Sequence, residues 1–158
     1  MKRTWEGRGT ALKLTVSMLA ILATAVLFNF FPEKVGTFRT VTDATSFSPA
    51  LAPEFSVHLP WLNLWWGLGF SLCLVRLWMK HWTPALRWAD MLLGFFGAYV
   101  LARMVLGSEA LFLSSVGDTL GRYILAFPAL ALTFSSVRKL QKLVNGRWLV
   151  FGSDPVQE

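Results

Sequence analysis

The sequence predicts an all-α integral membrane protein: four transmembrane helices, both termini cytoplasmic, and an ordered extracytoplasmic loop between helices 1 and 2. Three observations predict it. Apolar residues make up 54% of the chain and charged residues 15%, a balance shifted well away from that of an ordinary soluble domain. The apolar residues are gathered into runs long enough to cross the roughly 30 Å hydrocarbon layer, where a soluble core would spread them as short periodic patches. Lysine and arginine collect at alternate ends of those runs, the pattern by which cytoplasmic basic residues orient membrane helices. At 158 residues the length suits a single domain, with spans at about 14–31, 61–79, 88–106 and 120–137 and an outer loop at 32–60.

The first segment carries Lys2, Arg3, Arg8 and Lys13 against Glu6, and the apolar run from Leu14 to Phe31 follows, interrupted by small polar side chains and Asn29. A basic start and an apolar run also describe a secretory signal, and Ala23-Thr24-Ala25 resembles a cleavage pattern. The run continues apolar from Val26 to Phe31 and is longer than a signal core, so an uncleaved span is expected.

Residues 32–60 change character, with Pro32, Pro49, Pro53 and Pro60 and several serines and threonines. Val35 to Thr42 alternates enough for a short strand or hairpin, and Ser46 to Pro60 reads as an ordered irregular loop. The segment is long for a plain connection, and long connections are where function or disorder concentrates. Phe38, Phe47 and Phe55 argue for order, as a cap on the bilayer surface.

Trp61 to Met79 forms the second span, roughly 28 Å of helix at 1.5 Å per residue. Trp61, Trp65, Trp66 and Trp78 mark its two boundaries, as aromatic belts do. The basic turn Lys80-His81-Trp82 leads to Thr83-Pro84, a helix cap followed by the proline favoured in a first turn. The third helix then runs to Leu106, and Gly107-Ser108-Glu109 ends it. Ala110 to Gly121 reads as an interfacial turn or half-helix. The fourth span begins near Thr119 or Tyr123 and ends near Val137, with Pro128 inside, which membrane helices tolerate when neighbours satisfy the freed carbonyl.

Of the basic residues, four precede the first span, three surround the middle turn (Arg76, Lys80, Arg87) and four follow the last (Arg138, Lys139, Lys142, Arg147). The other two connections hold Lys34, Arg39 and Arg122, offset by Glu33, Asp43, Glu54, Glu109 and Asp118. Both ends and the middle turn therefore belong in the cytoplasm, which an even number of spans satisfies.

Small residues recur four apart: Gly67 with Ser71, Gly69 with Cys73, and Gly94, Ala98, Ala102 in a row. Such rows let helix backbones approach closely in lipid, within one chain or between copies. Arg103 stands inside an apolar run, where a charge is a functional candidate by default, although it is near enough to Gly107 for its side chain to reach the boundary. Tyr99 lies one turn deeper on the same face. Asn29, Asn63, Glu109, Asp118 and Arg122 fall at the same outer level, so a polar cluster with Arg103 is expected, with Asp118 or Glu109 as counter-ion. At the inner boundary, Arg87 and Asp90 have helical pair spacing, and the basic residues there suit anionic lipid.

Little points to catalysis. His58 and His81 fall on opposite sides of the membrane and cannot share a metal or haem, and no Cys/His cluster has metal spacing. Gly7 to Lys13 lacks the spacing of a phosphate-binding loop. The net charge of +6 flanks apolar runs and does not describe the basic face of a nucleic-acid binder. Cys73, the one cysteine, excludes an intrachain disulfide and suits a small apolar packing role. No catalytic, cofactor or metal residues are expected, and the partners are the lipid bilayer, with a membrane-protein partner or a homo-oligomer as further candidates.

The runs Ala52-Pro53-Glu54-Phe55, Leu59-Pro60-Trp61-Leu62-Asn63-Leu64-Trp65-Trp66, Trp82-Thr83-Pro84, Arg87-Trp88-Ala89-Asp90 and Leu101-Ala102-Arg103-Met104 give the chain a resemblance. From Leu14 to Leu143 it resembles the C-terminal four-helix membrane module of small bacterial membrane proteins of the HAAS type. In those a short cytoplasmic helical signalling domain precedes the spans; here about a dozen residues do, so that domain is expected to be absent. The resemblance implies the bacterial cytoplasmic membrane and carries no catalytic residues. The expected role is a non-enzymatic accessory or regulatory protein acting through helix packing and the outer loop. The alternative is a small transporter or ligand-binding sensor using the polar cluster around Arg103, and a lipid-modifying enzyme is a distant third.

Overall fold

The computed structural model describes residues 8–41, 44–79 and 83–145. Lys2, Arg3, Asp43, Arg147 and the turn residues Lys80, His81 and Trp82 lie outside the described residues. Four helices carry the fold: α1 Arg8–Phe30, α2 Leu59–Met79, α3 Pro84–Leu106 and α4 Ser115–Val144. All four are long and apolar enough to cross a membrane. Between α1 and α2 lie a 3-10 turn at Pro32–Lys34, the strands β1 Gly36–Val41 and β2 Ala44–Pro49, and a second 3-10 turn at Pro53–Val57.

The polar residues inside the apolar runs do not break the helices, because their hydroxyls bond back into them. Thr15 donates to the Ala11 carbonyl at 3.0 Å, Thr24 to Ala20 at 2.8 Å, Ser71 to Gly67 at 2.8 Å and Thr133 to Ala129 at 2.8 Å. Lipid leaves no water to do this, so internal satisfaction is the condition for a span. Thr83 caps α3 as expected, its Oγ1 accepting from Leu86 N at 3.2 Å with Pro84 next in line.

Two stretches differ from the expectation. Ser46–Pro49 is not irregular: it belongs to β2, which pairs antiparallel with β1 from Gly36↔Pro49 to Val41↔Ala44. Helix α4 begins at Ser115, several residues before the expected fourth span, and the segment read as a half-helix supplies its first turns. The cap explains the shift, since Ser114 Oγ accepts from Gly117 N at 2.9 Å and Asp118 sits in the first turn, where the helix dipole favours an acid. Hydropathy marks where a helix enters lipid, whereas capping marks where it starts.

The principal helix contacts follow chain order, α1 on α2, α2 on α3 and α3 on α4. The apolar window of α3 is 39% buried, against 6% for both α1 and α2, so α3 is the packing centre. The core cluster gathers at the end that carries the loop: Phe55 from the loop, Leu62 from α2, Val100, Leu101 and Met104 from α3, Leu111 from the α3–α4 connector and Ala129 from α4. Phe55 therefore turns inward, against Phe28 of α1 at 5.4 Å between ring centroids, and does not rest on a bilayer surface.

The small-residue rows divide. A Cβ at Gly69 would touch Ile21 of α1 and Leu93 of α3 at 3.7 Å each, so this row lies in the seam, with Cys73 half-buried below it. Gly94 meets the buried Ser136 of α4, Ala98 is buried and Ala102 half-buried. Gly67 and Ser71 face away: nothing lies within 4 Å of a Cβ at Gly67, and Ser71 is exposed. A further close approach is one the spacing does not announce, at Gly97, where a Cβ would overlap the Trp65 indole of α2.

Gly97→Ala should therefore lower thermal stability in detergent by about 1–3 kcal/mol equivalent through overpacking. Gly67→Ala should be neutral or slightly stabilising, since it replaces a flexible residue in open space. Equal losses for the two variants would contradict this placement of the α2–α3 contact.

Candidate polar site at the capped end

The seven polar residues expected at the outer level all lie at the loop-bearing end of the helices, but they form three separate arrangements. Asn29 of α1 and Asn63 of α2 face each other with reciprocal amide bonds, Asn29 Nδ2 to Asn63 Oδ1 at 2.7 Å and Asn63 Nδ2 to Asn29 Oδ1 at 2.8 Å. Asn29 also donates to the Ala25 carbonyl. This pair ties α1 to α2 by the polar glue that lipid makes worthwhile, on the order of 0.6–2 kcal/mol.

Arg103, in the last turn of α3, lies over the Trp61 ring at 5.0 Å, and Tyr99 meets the same indole edge-on at 6.2 Å. Tyr99 thus steadies Arg103 through Trp61. Of the two expected counter-ions, Asp118 is engaged elsewhere, paired with Arg122, and Glu109 joins Arg122 through its backbone carbonyl.

Arg122 is the centre of the third arrangement. Its Nε donates to Asp118 Oδ2 at 2.8 Å, one helical turn back along α4. Its Nη1 donates to the carbonyls of Met104 at 3.4 Å, Val105 at 3.0 Å and Gly107, and its Nη2 to Glu109 at 2.7 Å. The last carbonyls of a helix have no partner of their own and carry its negative dipole end. A guanidinium, with five donors in a planar fork, is the side chain best able to meet several of them at once. The other oxygen of Asp118 accepts from Leu111 N at 2.6 Å and Phe112 N at 3.3 Å. Phe112 then lies over Gly121, where a Cβ would run into its ring. One ion pair thus folds the whole α3–α4 connector onto the start of α4.

The connector in turn holds the loop. Leu51 and Phe112 form an antiparallel bridge, with Ala52 N donating to the Leu111 carbonyl at 3.1 Å and Leu113 N to the Ala50 carbonyl at 2.9 Å. Leu111 is completely buried beneath it. Beside this bridge stands His58, a residue with no place in the expected cluster. Its backbone joins the 3-10 turn to α2, its N–H donating to Phe55 O at 3.0 Å and its carbonyl accepting from Leu62 N at 3.1 Å. Its ring is 2% exposed, edges onto Phe55, and has no hydrogen-bond partner at Nε2. Burial pushes the imidazole below its ordinary value, Glu109 opposes that, and Arg103 and Arg122 reinforce it. A neutral ring results, set between charges from the connector, α3 and α4. A Pro-rich stretch without periodicity hides such burial from the sequence.

At the opposite end, Asp90 gains a partner that helical spacing does not announce: Lys139 of α4 donates to its carboxylate at 2.5 Å. Arg138 lies over Phe134 at 4.2 Å. Among the described residues no three His, Cys, Asp or Glu side chains group as a metal site would require.

No family model, no curated protein and no solved structure matches the chain.

Arg122→Gln should lower thermal stability in detergent by several kcal/mol, because it strips donors from four carbonyls and leaves Asp118 without its ion pair. Arg103→Gln, which loses a ring contact at the boundary, should lose about 1 kcal/mol. If Arg103→Gln is the more damaging change, the division of the polar layer drawn above does not hold.

Proposed function

We infer that this chain is a small multi-pass protein of the bacterial cytoplasmic membrane, with both termini cytoplasmic and an outer cap within residues 32–60, of which 50–58 bond to the α3–α4 connector or lead from it into α2. Its role is non-enzymatic: an accessory or regulatory protein that acts through its helix faces and that cap. The observation carrying this reading is the contrast between a cap locked by backbone bonds onto the α3–α4 connector and helices α1 and α2 whose apolar windows are only 6% buried. A rigid outer surface on thinly packed spans suits a protein that others in the membrane hold or sense.

The charge distribution supports the orientation. The segments at the capped end hold Glu33, Asp43, Glu54 and Glu109 against Lys34 and Arg39, while Lys13, Arg76, Arg87, Arg138, Lys139 and Lys142 gather toward the other end, which supports a cytoplasmic placement for it. The described polar groups also weigh against the transporter or sensor alternative. Arg122 and Asp118 are saturated by the chain's own carbonyls, amides and each other, which suits a clamp better than a binding site.

Reporter fusions after Gly107 and after Lys80 should give an extracytoplasmic and a cytoplasmic signal respectively; a cytoplasmic signal at Gly107 would overturn the topology. A photo-crosslinker at Leu19, which is 61% exposed on α1, should capture a stoichiometric protein partner in the native membrane, while one at the buried Val100 should not. Purification as a partner-free oligomer carrying a small ligand would instead favour the sensor.

A further inference from the structure

We propose that His58 is a proton-operated latch: neutral, it lets the cap of residues 50–58 close on the α3–α4 connector, and protonation on the outer side releases the cap.

His58 joins the cap to α2, and its ring edges onto Phe55 of the cap. It is 2% exposed, with Ala52 and Phe55 of the cap and Leu111 of the connector equally buried around the seam. Closure relies on two backbone bonds, Ala52 N to Leu111 O and Leu113 N to Ala50 O. Phe55 of the same segment seats in the core cluster beside Leu62, Val100 and Leu111, so opening withdraws one core ring as well as two backbone bonds, a local event that leaves the helix-on-helix seams in place.

Charge supplies the trigger. The groups acting on the ring are Glu109 from the connector, Arg103 from α3 and Arg122 from α4, and Arg122 is already matched by Asp118. Two guanidiniums and two carboxylates cancel when His58 is neutral. A protonated ring adds one positive charge at a site only 2% exposed, where Glu109 favours the charge but burial and the two guanidiniums oppose it, and Nε2 has no acceptor in hydrogen-bond reach. A buried charge without a partner is the costliest state available to this site. Opening the cap hydrates it.

The sign follows. Enclosed, the ring binds a proton less readily than when the cap is open, so the open state takes up protons first and closure is favoured at neutral pH. Closure weakens as pH falls below about 6.5, the ordinary imidazole value, and the loss levels off once the enclosed ring also titrates. The latch rests on the proposed orientation only for which compartment supplies the proton.

The test is hydrogen exchange of the full chain in detergent, resolved to the Ala52 and Leu113 amides, with each rate divided by that of an unstructured peptide at the same pH. From pH 7.5 to 5.5 the protection of both amides should fall about fivefold, short of the roughly tenfold that one proton on an ordinary imidazole can deliver over that window. The Val100 amide, deep in α3, should not change. His58→Gln should abolish the pH dependence. Should that variant fail to close its cap at any pH, two charge variants still decide the matter. Glu109→Gln removes the group that favours the charged ring and should deepen the loss. Arg103→Gln removes one that opposes it and should make the loss shallower. Protection that does not vary with pH, or loss at Val100 in step with the cap, would overturn the latch, as would charge variants that leave the pH dependence where it was. Because the measurement uses solubilised protein without partners, its failure leaves the accessory role standing, and a failed topology test leaves the latch standing.

Discussion

The Arg122–Asp118 pair is the interaction on which the capped end depends. A helix that stops near the membrane surface leaves its last carbonyls without partners, and hydrocarbon supplies none. The guanidinium of Arg122 meets the carbonyls of Met104, Val105, Gly107 and Glu109 together. Its own charge is balanced by a carboxylate one turn away whose other oxygen receives Leu111 and Phe112. The end of α3, the connector and the start of α4 therefore become one hydrogen-bonded unit. Leu111, fixed by that unit, presents the carbonyl to which the cap attaches. The cap is held three steps removed from the ion pair.

The rest of the molecule is organised with less redundancy. Helix α3 is the packing centre, with Gly97 admitting Trp65 from one side and Gly94 admitting Ser136 from the other. The Asn29–Asn63 pair joins α1 to α2 near the capped end, and Asp90–Lys139 joins α3 to α4 near the opposite end. The α1–α2 and α3–α4 contacts thus combine close approach with a polar tie, while α2 meets α3 through the Gly97–Trp65 approach and the rings around Trp61; packing and hydrogen bonds are the sources of helix association left when the solvent is itself apolar. The cap adds a third source, a buried aromatic cluster around Phe55, at the one level where hydrophobic burial from water operates.

How much of this was legible follows from what each feature depends on. Four helices were legible because hydropathy over some twenty residues is a local property, and the Thr83-Pro84 start of α3 because a cap is written in two adjacent residues. The common level of Asn29, Asn63, Tyr99, Arg103, Glu109, Asp118 and Arg122 at one end of the helices was legible as a set, since depth follows from counting along a helix. Their partners were not. Asp118 lies nearer in sequence to Arg122 than to Arg103, yet choosing between them depends on which guanidinium the connector's carbonyls enclose. The rows of small residues behaved alike: spacing grouped Gly67 with Ser71 as readily as Gly69 with Cys73, and only the azimuth of α2 against its neighbours separates them.

His58 marks the boundary between the two kinds of knowledge. Composition, hydropathy and charge are sums over the chain, so the residues alone settle that this protein has four helices able to cross a membrane and a polar segment between the first two. Burial of one side chain is a property of everything that closes around it. His58 lies in a stretch with neither a helical nor a strand period, and it is enclosed by a cap, a connector and two helices that meet only once the fold is complete. Its neutrality, its missing partner at Nε2 and the three charges around it come from that meeting. The tertiary structure turned a loop histidine into the most enclosed titratable group at the capped end, because enclosure is made by distant segments and is encoded in none of them singly.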